Sequence, residues 1–142
     1  MTTDTFDLAR FVDAQNGCYD AVKRELGAGR KQTHWMWFVF PQVRGLGSSP
    51  RAVKYGISGR EEARAYLAHP VLSARLAECT ELVIAAAPRT ATDIFGHPDN
   101  LKFHSSMTLF DVVKPNANYA EALRVFFDAQ RDEATVQMLD RG

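Results

Sequence analysis

The chain has 142 residues and a mass of 15.9 kDa, 46% of them hydrophobic and 24% charged, which is the make-up of one globular domain over residues 1–142 and not of a disordered chain. Its formal net charge is zero, so nucleic acid exerts little long-range pull and is an unlikely partner. No apolar run reaches the ~18–20 residues of a membrane span, no secretory leader stands out, and two unpaired cysteines, Cys18 and Cys79, argue against a disulfide scaffold; a reduced, cytoplasmic protein is expected.

Leu8, Phe11, Val12, Tyr19, Val22 and Leu26 fall mostly three or four apart, which predicts one amphipathic helix from Phe6 to Leu26. Asp4 or Thr5 would cap it and Gly27 would end it. A basic loop follows, Gly27 to Gln32. The run His34–Phe40 is apolar almost throughout and stops at Pro41, and its periodicity leaves helix and strand open. Thr33 as a cap, with Val39 the one β-branched residue, favours a short buried helix. Gln42–Ser49 carries two glycines and two serines and reads as loop.

Ser49 before Pro50 is a helix start, for a short element ending at Gly56. Ser58 with Glu61 has capping-box spacing and opens a helix through Leu67. Pro70 begins another, to about Ala87, closed by Pro88. Thr90 with Asp93 caps a single turn ending at Gly96. Pro98 opens a segment to about Val113, with Phe103, Met107 and Phe110 at helical spacing and Pro115 as the stop. Asn118 with Glu121 is a further cap-like start, for a helix through Phe127, and Arg131–Leu139 is a short terminal helix. No alternating run and no hairpin dipeptide supports a strand. The fold class is all-α, a single compact domain of about seven or eight short-to-medium helices.

The zero net charge conceals a gradient. Residues 23–64 hold nine bases against three acids, whereas residues 1–22 hold one base and four acids. A basic third points to an anionic small molecule or an acidic protein partner, unless its bases are spread over the solvated backs of several helices. The four histidines share no two-on-one-face spacing with a nearby acid, so no metal site is expected, and no phosphate-binding glycine loop or nucleophile elbow implies a cofactor.

Two segments carry candidate chemistry. Lys31–Gly47 crowds Trp35, Trp37, Phe38 and Phe40 against His34, Gln42 and Arg44, the mixture of apolar walls and a few polar groups found in ligand pockets; the aromatics also suit a core. Lys102–Phe110 places Lys102, Ser105 and Ser106 together on one helix face, with His104 and Thr108 on another. A lysine one turn before two hydroxyls suits a phosphate or carboxylate, and equally a packing notch beside a solvated lysine.

HWMWFVFPQVRGLGSS, YLAHPVLSARL and LKFHSSMTLF together resemble a bacterial family catalogued as domain of unknown function eighteen-ten. The resemblance spans nearly the whole chain, with Thr33, Ser73 and Phe103 as mild departures. It implies a compact, mostly helical domain and no assigned activity. The label calpastatin that family members sometimes carry describes a disordered, repetitive inhibitor and does not suit these residues. A more distant likeness to the ADP-ribose-associated NADAR family follows from the order of an aromatic motif, a basic helix and a lysine-phenylalanine helix. No matching catalytic glutamate accompanies it, and no residue is carried over.

The resulting expectation is a pocket between the two segments for a small anionic ligand, nucleotide- or ADP-ribose-like. Trp37, Gln42, Ser105 and Ser106 would orient it, Arg44, Lys54 and Lys102 would hold its charge, and His34 or His104 would transfer protons if a reaction occurs. The competing expectation is an interaction module using the basic surface of residues 23–64.

Overall fold

The rings of Phe40, Phe95 and Phe103 meet with centroids 4.7–5.8 Å apart in the core, joining the first aromatic segment to two adjoining helices far along the chain. The computed structural model describes residues 4–141. Its helices are α1 Ala9–Asn16, α2 Tyr19–Gly27, α3 Met36–Val39, α4 Pro50–Lys54, α5 Arg60–Ala68, α6 Pro70–Ala85, α7 Ala91–Phe95, α8 Asp99–Val113, α9 Asn118–Phe127 and α10 Glu133–Arg141. Among the described residues there is no strand, only an isolated parallel bridge between Val43 and Ile57. The all-α class holds, with ten helices where seven or eight were expected.

One added helix comes from the first segment. The predicted Phe6–Leu26 helix is broken at Cys18, whose φ of −143° and ψ of 4° lie outside the helical region. The break lets α1 pack on both α3 and α6 while α2 lies along α6. The apolar period passes through it in register, so Phe11, Val22 and Leu26 are all fully buried and periodicity gives no sign of it. The short helices α3 and α7 stand as separate elements.

Helix starts divide into those set by local chemistry and those set by distant partners. The Ser49 hydroxyl accepts from Ala52 N at 3.1 Å, and the Thr90–Asp93 capping box forms with both of its bonds. Asp4 accepts from Leu8 N and Ala9 N, but the N-cap of α1 is Leu8, without a side-chain cap, and not Asp4 or Thr5 as expected. Three other expected caps do not form either. Thr33 gives its hydroxyl to Glu25 Oε2 at 2.7 Å, and α3 starts at Trp35 without a side-chain cap. Ser58 is not a side-chain cap for α5; instead Glu62 Oε1 accepts from Ser58 N at 2.8 Å. Glu62 points inward because it pairs with Arg10 at 2.7 Å, whereas Glu61 is exposed on Arg64. Asn118 donates across to Ala77 O and Glu81, so α9 begins without its amide as cap.

Helix α8 runs through the middle, against α5, α7, α9 and α10. The predicted stripe of Phe103, Met107 and Phe110 is fully buried, and the enclosure extends all round the helix from Ser105 to Asp111. Cys79 is a buried core residue, and both cysteines are free thiols. No described helix is long and apolar enough to cross a membrane.

Candidate functional site

Helix α3 is a single turn, and its spacing divides the aromatic run between core and surface. Trp35, Met36, Val39 and Phe40 face inward and are buried; Trp37 falls on the outer side and is half-buried. Pro41 stops the turn, and the next stretch is held at its base by Arg44 N to Ile57 O at 2.7 Å and Ile57 N to Gln42 O at 2.8 Å. Gly45 adopts φ +106°, and a Cβ there would lie 2.3 Å from Met138 Cε of α10. The backbone conformation favours glycine here, and any Cβ would also push the flexible Met138 side chain aside. The loop is thus packed on α10 and brought opposite the first turns of α8.

Between them opens a cleft of about 500 Å³, a volume in the range of small-molecule sites. Trp37, Gln42, Lys102, Ser105 and Asp132 supply its polar and aromatic groups, with Leu101 on its rim. Lys102 Nζ lies 4.8 Å from the Trp37 ring centroid and Arg51 Cζ lies 4.9 Å from it, both within cation–π range. Asp99 is shared by two lysines, at 2.9 Å from Lys31 and 3.3 Å from Lys102. Lys31 is nearly enclosed, its side chain 7% exposed and its ammonium 5.3 Å from the Trp35 ring. Lys102 takes the longer bond and is 24% exposed, so its ammonium remains available to a ligand.

Asp132 enters the cleft from the opposite side. Its Oδ2 accepts from Ser105 Oγ at 3.0 Å, from Thr135 N at 3.2 Å and from the Thr135 hydroxyl, while its own N–H donates to Thr108 Oγ1 at 2.8 Å. Ser105 Oγ also lies 3.1 Å from Leu101 O, one turn back in the helix, so its single proton is shared between the two acceptors. Among the described residues the Gln42 amide and the Asp132 Oδ1 atom have no hydrogen-bond partner.

Four of the nine residues singled out in the sequence therefore meet: Trp37, Gln42, Lys102 and Ser105. Five stand elsewhere. His34 is exposed on the bend before α3. Arg44 is exposed and reaches back to Gly56 O at 3.3 Å, and Lys54 stands 5.3 Å over the Tyr55 ring. His104 stacks on Phe127 with centroids 4.0 Å apart and its Nε2 lies 2.8 Å from Gln130 O. Ser106 is fully buried with an unpartnered hydroxyl, which leaves it as a notch in the core and not a ligand contact.

Asp132 was missed. Its spacing to Thr135 marks the start of α10, but nothing local shows that the same carboxylate faces Ser105. Among the described residues no three His, Cys, Asp or Glu side chains gather as metal ligands. A second groove of similar volume lies between α6 and α9, but its acids Glu78 and Glu81 are engaged by Tyr19 and Asn118.

The chain matches the family described as Protein of unknown function (DUF1810) over residues 5–139. Its backbone superimposes, with a TM-score of 0.94, on the crystal structure of the conserved hypothetical protein Rv1873 from Mycobacterium tuberculosis, which is 54% identical; the match covers 96% of this chain and 99% of that one. No curated protein matches the sequence. The all-helical architecture, the tryptophan-bearing turn and the central lysine-phenylalanine helix are those of a protein that belongs to the DUF1810 family.

Proposed function

We propose that the protein binds a small anionic ligand, nucleotide- or ADP-ribose-like, in the cleft between α3, the loop after it and α8. The observation that carries this reading is the available Lys102 ammonium 4.8 Å from the half-exposed Trp37 ring. A flat heterocycle takes the place of the exposed Arg51 guanidinium on the indole while the Lys102 ammonium meets its phosphate. The free Gln42 amide and the Ser48 and Ser105 hydroxyls supply further polar groups in the same space. The acidic-partner reading of residues 23–64 has less support, because Lys31, Arg60 and Arg64 already pair with acids of this chain.

A thermal-shift titration with inorganic phosphate, AMP and ADP-ribose tests the proposal. A ligand present at a hundred times its Kd stabilises the folded state by about 2.7 kcal/mol, which raises Tm by several degrees. Lys102→Ala is expected to abolish that rise while leaving the unliganded Tm nearly unchanged, since Asp99 keeps Lys31. Arg44→Ala, which does not line the cleft, should keep the rise. If none of the three anions moves Tm, the cleft is not an anion site and the acidic-partner reading takes its place.

A further inference from the structure

A carboxylate lining a cleft that holds an anion is repulsive unless the ligand brings it a hydrogen-bond donor, and Asp132 is such a carboxylate. Resting on the anion-binding reading above, we propose that Asp132 Oδ1 accepts a hydrogen bond from a sugar hydroxyl, so that the ligand class is a phosphorylated sugar of the ribonucleotide type. Lys102 meets the phosphate, Trp37 the base, and Asp132 the ribose.

The division of labour within the Asp132 side chain supports this. Ser105, the Thr135 hydroxyl and Thr135 N all donate to Oδ2, which satisfies the start of α10 through one oxygen. The other oxygen accepts from no donor among the described residues, and the residue lines the cleft. Asp128 and Ala129, at positive φ of 54° and 61°, end α9 in the left-handed conformation and turn the chain toward this residue. The turn they form is held from several sides. Ala129 N donates to Leu123 O, His104 Nε2 meets Gln130 O, Arg131 pairs with Asp111 at 2.9 Å and Asp132 N donates to Thr108.

Asp132→Asn separates this role from capping, because asparagine caps a helix as well as aspartate does. It replaces the free acceptor by an amide and removes the charge. Calorimetric titration would compare AMP with 2′,3′-dideoxy-AMP and inorganic phosphate on the wild type, Asp132→Asn and Lys102→Ala. The wild type is expected to bind AMP about tenfold or more tighter than the dideoxy form. Asp132→Asn should lose that preference, through weaker AMP binding, with phosphate binding unchanged or tighter. Were Asp132 only a cap, the variant would bind every anion as well as or better than the wild type, a change of opposite sign, and the proposal would be overturned. Equal wild-type affinity for AMP and dideoxy-AMP, with both lost in Lys102→Ala, overturns the ribose assignment and leaves the anion site standing. Absence of wild-type binding to all three ligands overturns both.

Discussion

The Glu25 carboxylate accepts from Gln32 N, Thr33 N, Thr33 Oγ1 and Trp35 Nε1 at 2.6–3.0 Å, and so one buried side chain folds the basic loop onto α2 and anchors the first tryptophan. Burial by itself pushes this carboxyl up, but the four donors outweigh it and hold its pKa at about 2, against 4.5 for a free glutamate. A group whose folded pKa is depressed adds stability above its unfolded pKa and loses it as pH falls. The contribution is therefore complete above about pH 5 and fades toward pH 2, about 3 kcal/mol in all. Glu25→Gln is expected to lower the urea midpoint at pH 7, and the gap between variant and wild type should shrink as the pH is taken from 5 to 2. A gap independent of pH would show that the glutamate acts by shape and not by charge.

At the scale of the element, the start of α5 shows how a distant residue overrides a local signal. The Ser58–Glu61 spacing predicts a cap worth on the order of 1 kcal/mol, yet the backbone N–H of Ser58 is taken by Glu62, which also carries the nearly enclosed Arg10. Arg10 in turn donates to the carbonyls of Phe6, Lys54 and Gly56, tying α1 to the end of α4 and the turn that follows it. Ser58→Ala should change the unfolding free energy by less than about 0.5 kcal/mol. Glu62→Ala removes one partner of a buried pair and should cost about 3–5 kcal/mol. Chemical denaturation of the two variants tests this, and the reverse order of effects would restore the serine as the cap.

Over the whole molecule, a single connected cluster of buried residues runs from Leu8 to Leu139 and includes members of most of the helices. Helices α6 and α8 form its middle, and the rings of Phe11, Tyr66, Phe110 and Tyr119 continue it away from the Phe40–Phe103 contact. With no second core to melt separately, unfolding is expected as one transition. Tryptophan fluorescence reports Trp35 in the core and Trp37 at the cleft, and far-ultraviolet circular dichroism reports the helices everywhere. The two denaturation curves should coincide, and a fluorescence change well ahead of the helical one would mean that the tryptophan-bearing turn and its loop open as an independent unit.

The helical class, the capped starts at Ser49 and Thr90, the loop after Pro41 and the buried stripe of α8 were legible in the residues, because each depends on neighbours within about four positions. So were four of the five polar and aromatic groups named in the cleft: Trp37, Gln42, Lys102 and Ser105 lie in the two segments that stood out by composition. Spacing along one helix states which face is buried but not what it is buried against. That is why Ser105 and Ser106, adjacent in sequence, part company, one bonded to Asp132 and the other enclosed without a partner. Asp132 reaches Ser105 across 27 positions, Glu62 reaches Arg10 across 52, and the break at Cys18 turns α2 along α6 without disturbing the apolar period. These are contacts between elements, and the packing of one helix on another decided them.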